Sequence, residues 1–102
     1  MAKLVTIYWR DIPSQIVAKA GRRSAKIRLA HRFQEAIDRA AMRAGKGSSD
    51  AYLSEWRRDS RNCSDDLEGE AQAAADKLDQ QFSDGDLLEL IRSKGVDNAA
   101  EE

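Results

Sequence analysis

Leu4 to Arg10 alternate in period two, with Val5, Ile7 and Trp9 on one side and Leu4, Thr6, Tyr8 and Arg10 on the other. That is the pattern of a β-strand. Both sides carry apolar groups, which places the strand at the centre of a sheet, with the Val5/Ile7/Trp9 face expected in the core. Asp11-Ile12-Pro13-Ser14 is expected to end it, because proline cannot donate to a ladder and Asp and Ser favour local turns. Gln15–Ala20 alternates again with Ile16, Ala18 and Ala20 together, although Ala and Lys also tolerate a helix over residues 14–20. Gly21-Arg22-Arg23-Ser24 reads as a turn. Beyond it Ala25, Ile27 and Leu29 alternate with Lys26 and Arg28, closing a hairpin with arginines at its tip.

From His31 to Ala44 the period becomes helical: Phe33, Ala36, Ile37, Ala40, Ala41 and Ala44 form one stripe. Gly45 suits the position just past the C-terminus, and Glu35 and Arg39 have the spacing of an i,i+4 pair. Residues 47–50 have loop composition. Tyr52–Arg58 fits a strand, with Tyr52, Ser54, Trp56 and Arg58 together, or a helix, with Tyr52, Leu53 and Trp56 together. The strand reading is preferred, since it gives the second tryptophan a place in the sheet. Leu67, Ala71, Ala74, Ala75, Leu78 and Phe82 mark a second amphipathic helix over about 65–81, with Ser64 or Asp65 as its cap and Asp65 and Glu68 at capping-box spacing. Ser83-Asp84-Gly85-Asp86 reads as a break, and Leu87, Leu88 and Ile91 as a short third helix ending near Gly95. The expected fold is α+β: a small, mainly antiparallel sheet of three or four strands, packed on one face by two amphipathic helices, plus the short C-terminal helix. Residues 1–95 form one domain in this reading and 96–102 a frayed tail.

Charge adds what periodicity does not. The net charge is only −1, yet residues 1–62 carry a net +8 and residues 63–102 a net −9. Such a sequence dipole fits either a basic binding surface with an acidic second half or two halves that attract each other. No apolar run approaches the roughly 20 residues needed to span a bilayer and the N-terminus lacks a signal-peptide core, so a cytoplasmic protein with no membrane association is expected. Cys63 is the single cysteine and His31 the single histidine, too few for a disulfide or a thiolate metal centre. Acidic neighbours disfavour a thiolate at Cys63, and Asp65, Asp66, Glu68 and Glu70 lack the glycine and spacing of a calcium loop, so no metal, cofactor or catalytic residue is expected.

Tyr8-Trp9-Arg10-Asp11-Ile12-Pro13, the Gly21-Arg22-Arg23 turn, Phe33 with residues 36–42, and Tyr52-Leu53 with Glu55-Trp56-Arg57 resemble the small bacterial proteins grouped as "virulence factor". These are related to the C-terminal domain of the longer conserved virulence factor C. The resemblance covers roughly residues 3–82. It implies no established enzymatic activity, and the occurrence of some members beside folate- and corrinoid-dependent methyl-transfer enzymes implies an accessory role there. The expected function is therefore a non-enzymatic protein-interaction module, with Tyr8, Arg10, Asp11, Arg22, Arg23, Trp56 and Arg57 as its partner-binding residues. The alternative is a small nucleic-acid-binding domain using a basic hairpin of Lys19, Arg22, Arg23, Lys26 and Arg28, with Tyr8, Trp9 and Trp56 available to stack bases.

Overall fold

A computed structural model describes residues 2–45 and 52–95. The period-two segments become strands β1 (Ala2–Trp9), β2 (Ile12–Ala20) and β3 (Arg23–Arg28), followed by α1 (His31–Arg43), β4 (Trp56–Cys63), α2 (Leu67–Gln81) and α3 (Asp84–Arg92). The strands make one sheet in the order β3-β2-β1-β4, antiparallel at every pairing. The class is the α+β one expected from the pattern, and β1 is central. Residues 14–20 are extended in the ladder with β1 and β3, not helical.

The proline does not end the sheet. The turn is the shorter Arg10-Asp11 pair, and β2 begins at Ile12 with Pro13 inside it. A register shift makes this possible: Ile7 faces Gln15 while Tyr8 faces Pro13, so Ser14 is an extra residue in β2. A bulge is where a residue without an N–H is tolerated. The Ser14 carbonyl accepts from the Leu29 N–H at 3.0 Å, and the Pro13 side chain is fully buried. At the other end of β2, Gly21 at φ +59° opens a two-residue loop between the paired Ala20 and Arg23.

Two clusters form the core. Leu4, Ile16 and Ala18 meet Leu67, Ala71 and Ala75 of α2, whose small side chains let the helix approach the sheet closely. Trp9 and Ile12 meet Phe33, Ala36, Ile37, Ala40 and Ala41 of α1 and Leu87, Leu90 and Ile91 of α3, and Leu29 touches both clusters. The Val5/Ile7/Trp9 face is thus divided. Trp9 is fully buried against helices, whereas Val5 and Ile7 lie on the side of the sheet turned away from α2.

The remaining differences are local. Residues 52–53 are helical, and β4 starts only at Trp56. The Tyr52 carbonyl accepts from the Trp9 indole at 2.9 Å and from the Glu55 N–H at 3.4 Å, which folds this segment into a turn. Asp66, not Ser64 or Asp65, caps α2, accepting from the Gly69 N–H at 3.2 Å. Ser83-Asp84-Gly85-Asp86 is a helix start: Ser83 and Asp86 form a capping box, and on α3 Leu90 is buried while Leu88 is exposed. Gly45 occupies the left-handed position after α1 at φ +72° as expected, but no ion pair closes between Glu35 and Arg39 among the described residues. Arg32 instead reaches the Asp79 carbonyl at 2.8 Å and the Asp79 and Asp84 carboxylates at 3.1 and 3.3 Å. It thereby holds the start of α1 to the last turn of α2. The expected 47–50 loop and 96–102 tail lie outside the described residues.

Gly95 ends a Schellman motif in which Lys94 takes the left-handed position at φ 65°, and a Cβ on Gly95 would lie 2.8 Å from the buried Trp9 ring at a backbone φ of +88°. Gly95→Ala is expected to cost about 3 kcal/mol, and Gly45→Ala, with open space around it, about 1 kcal/mol. Denaturant melts should separate the two; equal losses would show that the Trp9 contact does not matter. The Ser83 backbone and hydroxyl bonds hold the Asp86 carboxyl below its usual range. Its stabilising contribution is therefore complete above about pH 4 and is lost as pH falls through the depressed value. Acid titration of stability in Asp86→Asn should lack that component.

Candidate functional site

The Arg10-Asp11 turn gathers four of the seven residues that the sequence marks for partner contact, Tyr8, Arg10, Asp11 and Arg57. Arg10 sits at φ 53°, a conformation that costs a non-glycine residue about 1 kcal/mol or more. Its surroundings hold it there: the backbone N–H donates to the Glu55 carbonyl at 3.1 Å, the guanidinium donates to the Lys94 carbonyl at 2.8 Å and pairs with Glu55 at 3.4 Å, and it lies 5.3 Å from the Trp9 ring centroid. The Asp11 N–H donates to the Gly95 carbonyl at 2.8 Å. Arg57 donates to the Arg10 carbonyl at 2.8 Å, pairs with Asp11 at 3.3 Å and Asp59 at 3.1 Å, and stacks 4.3 Å from the Tyr8 ring centroid. Burial, with Asp59 adding, pushes the Tyr8 phenol above its ordinary value. Trp56 turns its edge to Tyr52, 5.7 Å between centroids.

Arg22 and Arg23 are elsewhere. They stand exposed at the β2–β3 tip, eight residues of β2 from the Trp9–Ile12 pair, about 26 Å at 3.3 Å per residue. Tyr8, Arg10, Asp11 and Arg57 therefore form one connected, internally satisfied cluster, and the hairpin arginines do not join it.

A different surface emerges from strand register. Residues paired across an antiparallel ladder share a face, and on the side opposite α2 the pairings give three rows: Ser24-Lys19-Lys3-Asn62, Lys26-Val17-Val5-Ser60 and Arg28-Gln15-Ile7-Arg58. Five cations, Lys3, Lys19, Lys26, Arg28 and Arg58, stand there with no carboxylate in the rows. None of the five has an ion-pair partner among the described residues. Val5, Ile7 and Val17 make an apolar floor, and Lys19, Lys26 and Arg58 ring a hollow of about 230 Å³ above it. Lys19, Lys26 and Arg28 belong to the basic hairpin anticipated from sequence. Lys3 and Arg58 do not, because they come from strands whose register no local pattern reveals.

Of the acidic side chains of α2, Glu68, Asp76 and Asp79 are exposed and Glu70 is half-buried, on the helix that covers the other face. Among the described residues no group of three His, Cys, Asp or Glu is placed to hold a metal, and no helix is long and apolar enough to cross a membrane. Cys63 closes β4 opposite Ala2, and partial burial, helped by Glu70, pushes its thiol above the ordinary value. His31 opens α1 in solvent.

The two turn arginines should differ in kind. Arg10 has its side chain only 17% exposed, so Arg10→Ala is expected to cost about 2 kcal/mol through its lost charge-assisted bonds. Arg57, 44% exposed, should cost under about 1 kcal/mol. Urea midpoints of the two variants check the order; equal losses would mean that the turn is not held through Arg10.

Comparison with curated proteins and with solved structures gives no match. The family model described as "Virulence factor" matches residues 7–91, from the second half of β1 to the end of α3. It takes in both the arginine turn and most of the basic face, and the chain belongs to that family.

Proposed function

We propose that this protein is a non-enzymatic interaction module whose basic sheet surface opposite α2 docks an acidic, amphipathic segment of a partner protein. The observation that carries this reading is the row pattern itself: five cations with no ion-pair partner among the described residues, and no carboxylate in the rows, around a floor of Val5, Ile7 and Val17. A partner strand or helix with apolar groups on one side and carboxylates flanking them would meet the floor and the rim together. The resemblance implies an accessory role beside methyl-transfer enzymes, and an acidic segment of such an enzyme would be a partner of this kind.

Phosphate would also satisfy five cations, so a single-stranded nucleic acid is the second reading. Sheet-surface recognition of bases relies on aromatic rings presented on that surface. Here Trp9 is buried, Trp56 and Tyr52 pack on each other, and Tyr8 lies under Arg57. That favours a protein ligand.

The readings separate by titrating the isotope-labelled chain, following the methyls of Val5, Ile7 and Val17, with an alternating Val-Glu peptide and in parallel with a single-stranded oligonucleotide. Peptide binding at these methyls, weakened at least about tenfold by Lys26→Glu with Arg58→Glu, is the expected result. Binding of the oligonucleotide alone, falling steeply with salt, would install the second reading. No response to either ligand at low salt would end both.

A further inference from the structure

We infer that the furrow between α1 and α3 is a self-association surface, covered in solution by the same furrow of a second copy of this chain. Three large apolar side chains are exposed among the described residues, Met42 at 75%, Leu53 at 63% and Leu88 at 41%, and two of them, Met42 and Leu88, border this furrow. Between the helices a hollow of about 550 Å³ beside Met42 continues past Ile91 into one of about 230 Å³ beside Leu88. Apolar groups collected along one groove, rather than scattered singly, mark an interaction surface, and methionine adapts its shape to what packs on it.

The charge along the furrow indicates what packs there. The Arg32–Asp84 pair shows that α1 and α3 start side by side. At that end stand Glu35 and Asp84; Arg39, which lines both hollows, and Arg43 stand toward the other and have no ion-pair partner among the described residues. Arg32 also stands at the acidic end, paired with Asp84 and with Asp79 of α2, and Asp38, which accepts from the Gln34 amide, stands beside the two arginines, so the ends differ by one negative against one positive net charge. A surface with an acidic end and a basic end is its own complement under a two-fold axis across its middle. The rotation lays Arg39 and Arg43 of one copy toward Glu35 and Asp84 of the other and brings the two apolar stretches together, as an isologous contact requires. A partner of a single charge sign would match only half of it. This surface is separate from the basic sheet face, so the pairing stands or falls independently of that reading.

Sedimentation equilibrium of the full chain at low salt, up to about 1 mM, tests it. The expected result is a reversible dimer weakened by salt, rendered monomeric by Met42→Glu and by Leu88→Glu with unchanged circular dichroism, and retained in Leu53→Glu, whose side chain is exposed outside the furrow. A monomer throughout that range, or a dimer that survives Met42→Glu, would overturn the inference.

Discussion

The Arg10-Asp11 turn ties together parts of the chain that have no other reason to meet. Among the described residues the sheet and the helices α1 to α3 supply two cores, one under α2 and one around Trp9. The second depends on α3, which packs chiefly on α1. What fixes the end of α3 to the sheet is backbone chemistry: the Lys94 and Gly95 carbonyls accept from the Arg10 side chain and the Asp11 N–H, while the missing side chain of Gly95 leaves room for Trp9. The left-handed backbone of Arg10 is tolerated because both N–H groups of the turn, the Arg10 carbonyl and both charged side chains have partners. Relaxing it would cost several bonds to recover about 1 kcal/mol.

This cluster also gives the most distinctive stretch of sequence a structural use beside the one its composition suggests. An aromatic, a fork-shaped cation and a carboxylate at a strand end have the composition of a recognition edge. The same residues are what a strained two-residue turn needs when it must hold a helix end: Trp9 to fill, Arg10 to reach two carbonyl-bearing segments, Asp11 to present its N–H. Composition does not distinguish the two uses, because the discriminating fact, the presence of residues 94–95 at the turn, is a contact across more than eighty positions of chain.

Much of the fold was legible for the converse reason. The stripes of α1 and α2 and the alternation of β1 to β3 are local, and local periodicity survives into the structure. β4 was only half visible since it is an edge strand: from Arg57 to Asn62 its residues are polar and exposed, so neither face carries an apolar signal and only the ladder to β1 defines it. Charge on an edge strand is itself the usual protection against further pairing. The capping box at Ser83 reads as a break in sequence because its residues serve equally as turn formers, and Pro13 as a strand end because a bulge is invisible without the partner strand. The basic face was half legible. Its hairpin cations lie close in sequence, whereas Lys3 and Arg58 join them through register alone.

The charge asymmetry of the sequence now has a geometric meaning. The acidic groups of α2 and the cations of the bare face are separated by the thickness of the sheet and a helix of about 10–12 Å diameter. That exceeds the Debye length of about 8 Å at physiological ionic strength. The two sets are therefore screened from each other and neither neutralises the other, although the chain as a whole is nearly neutral. Had α2 packed on the other side of the sheet, its carboxylates would have met Lys19, Lys26 and Arg28 directly. The face chosen by the apolar pattern, Leu4, Ile16 and Ala18 against Leu67, Ala71 and Ala75, is what keeps the cations free, so the burial that stabilises the domain also leaves one of its surfaces strongly positive.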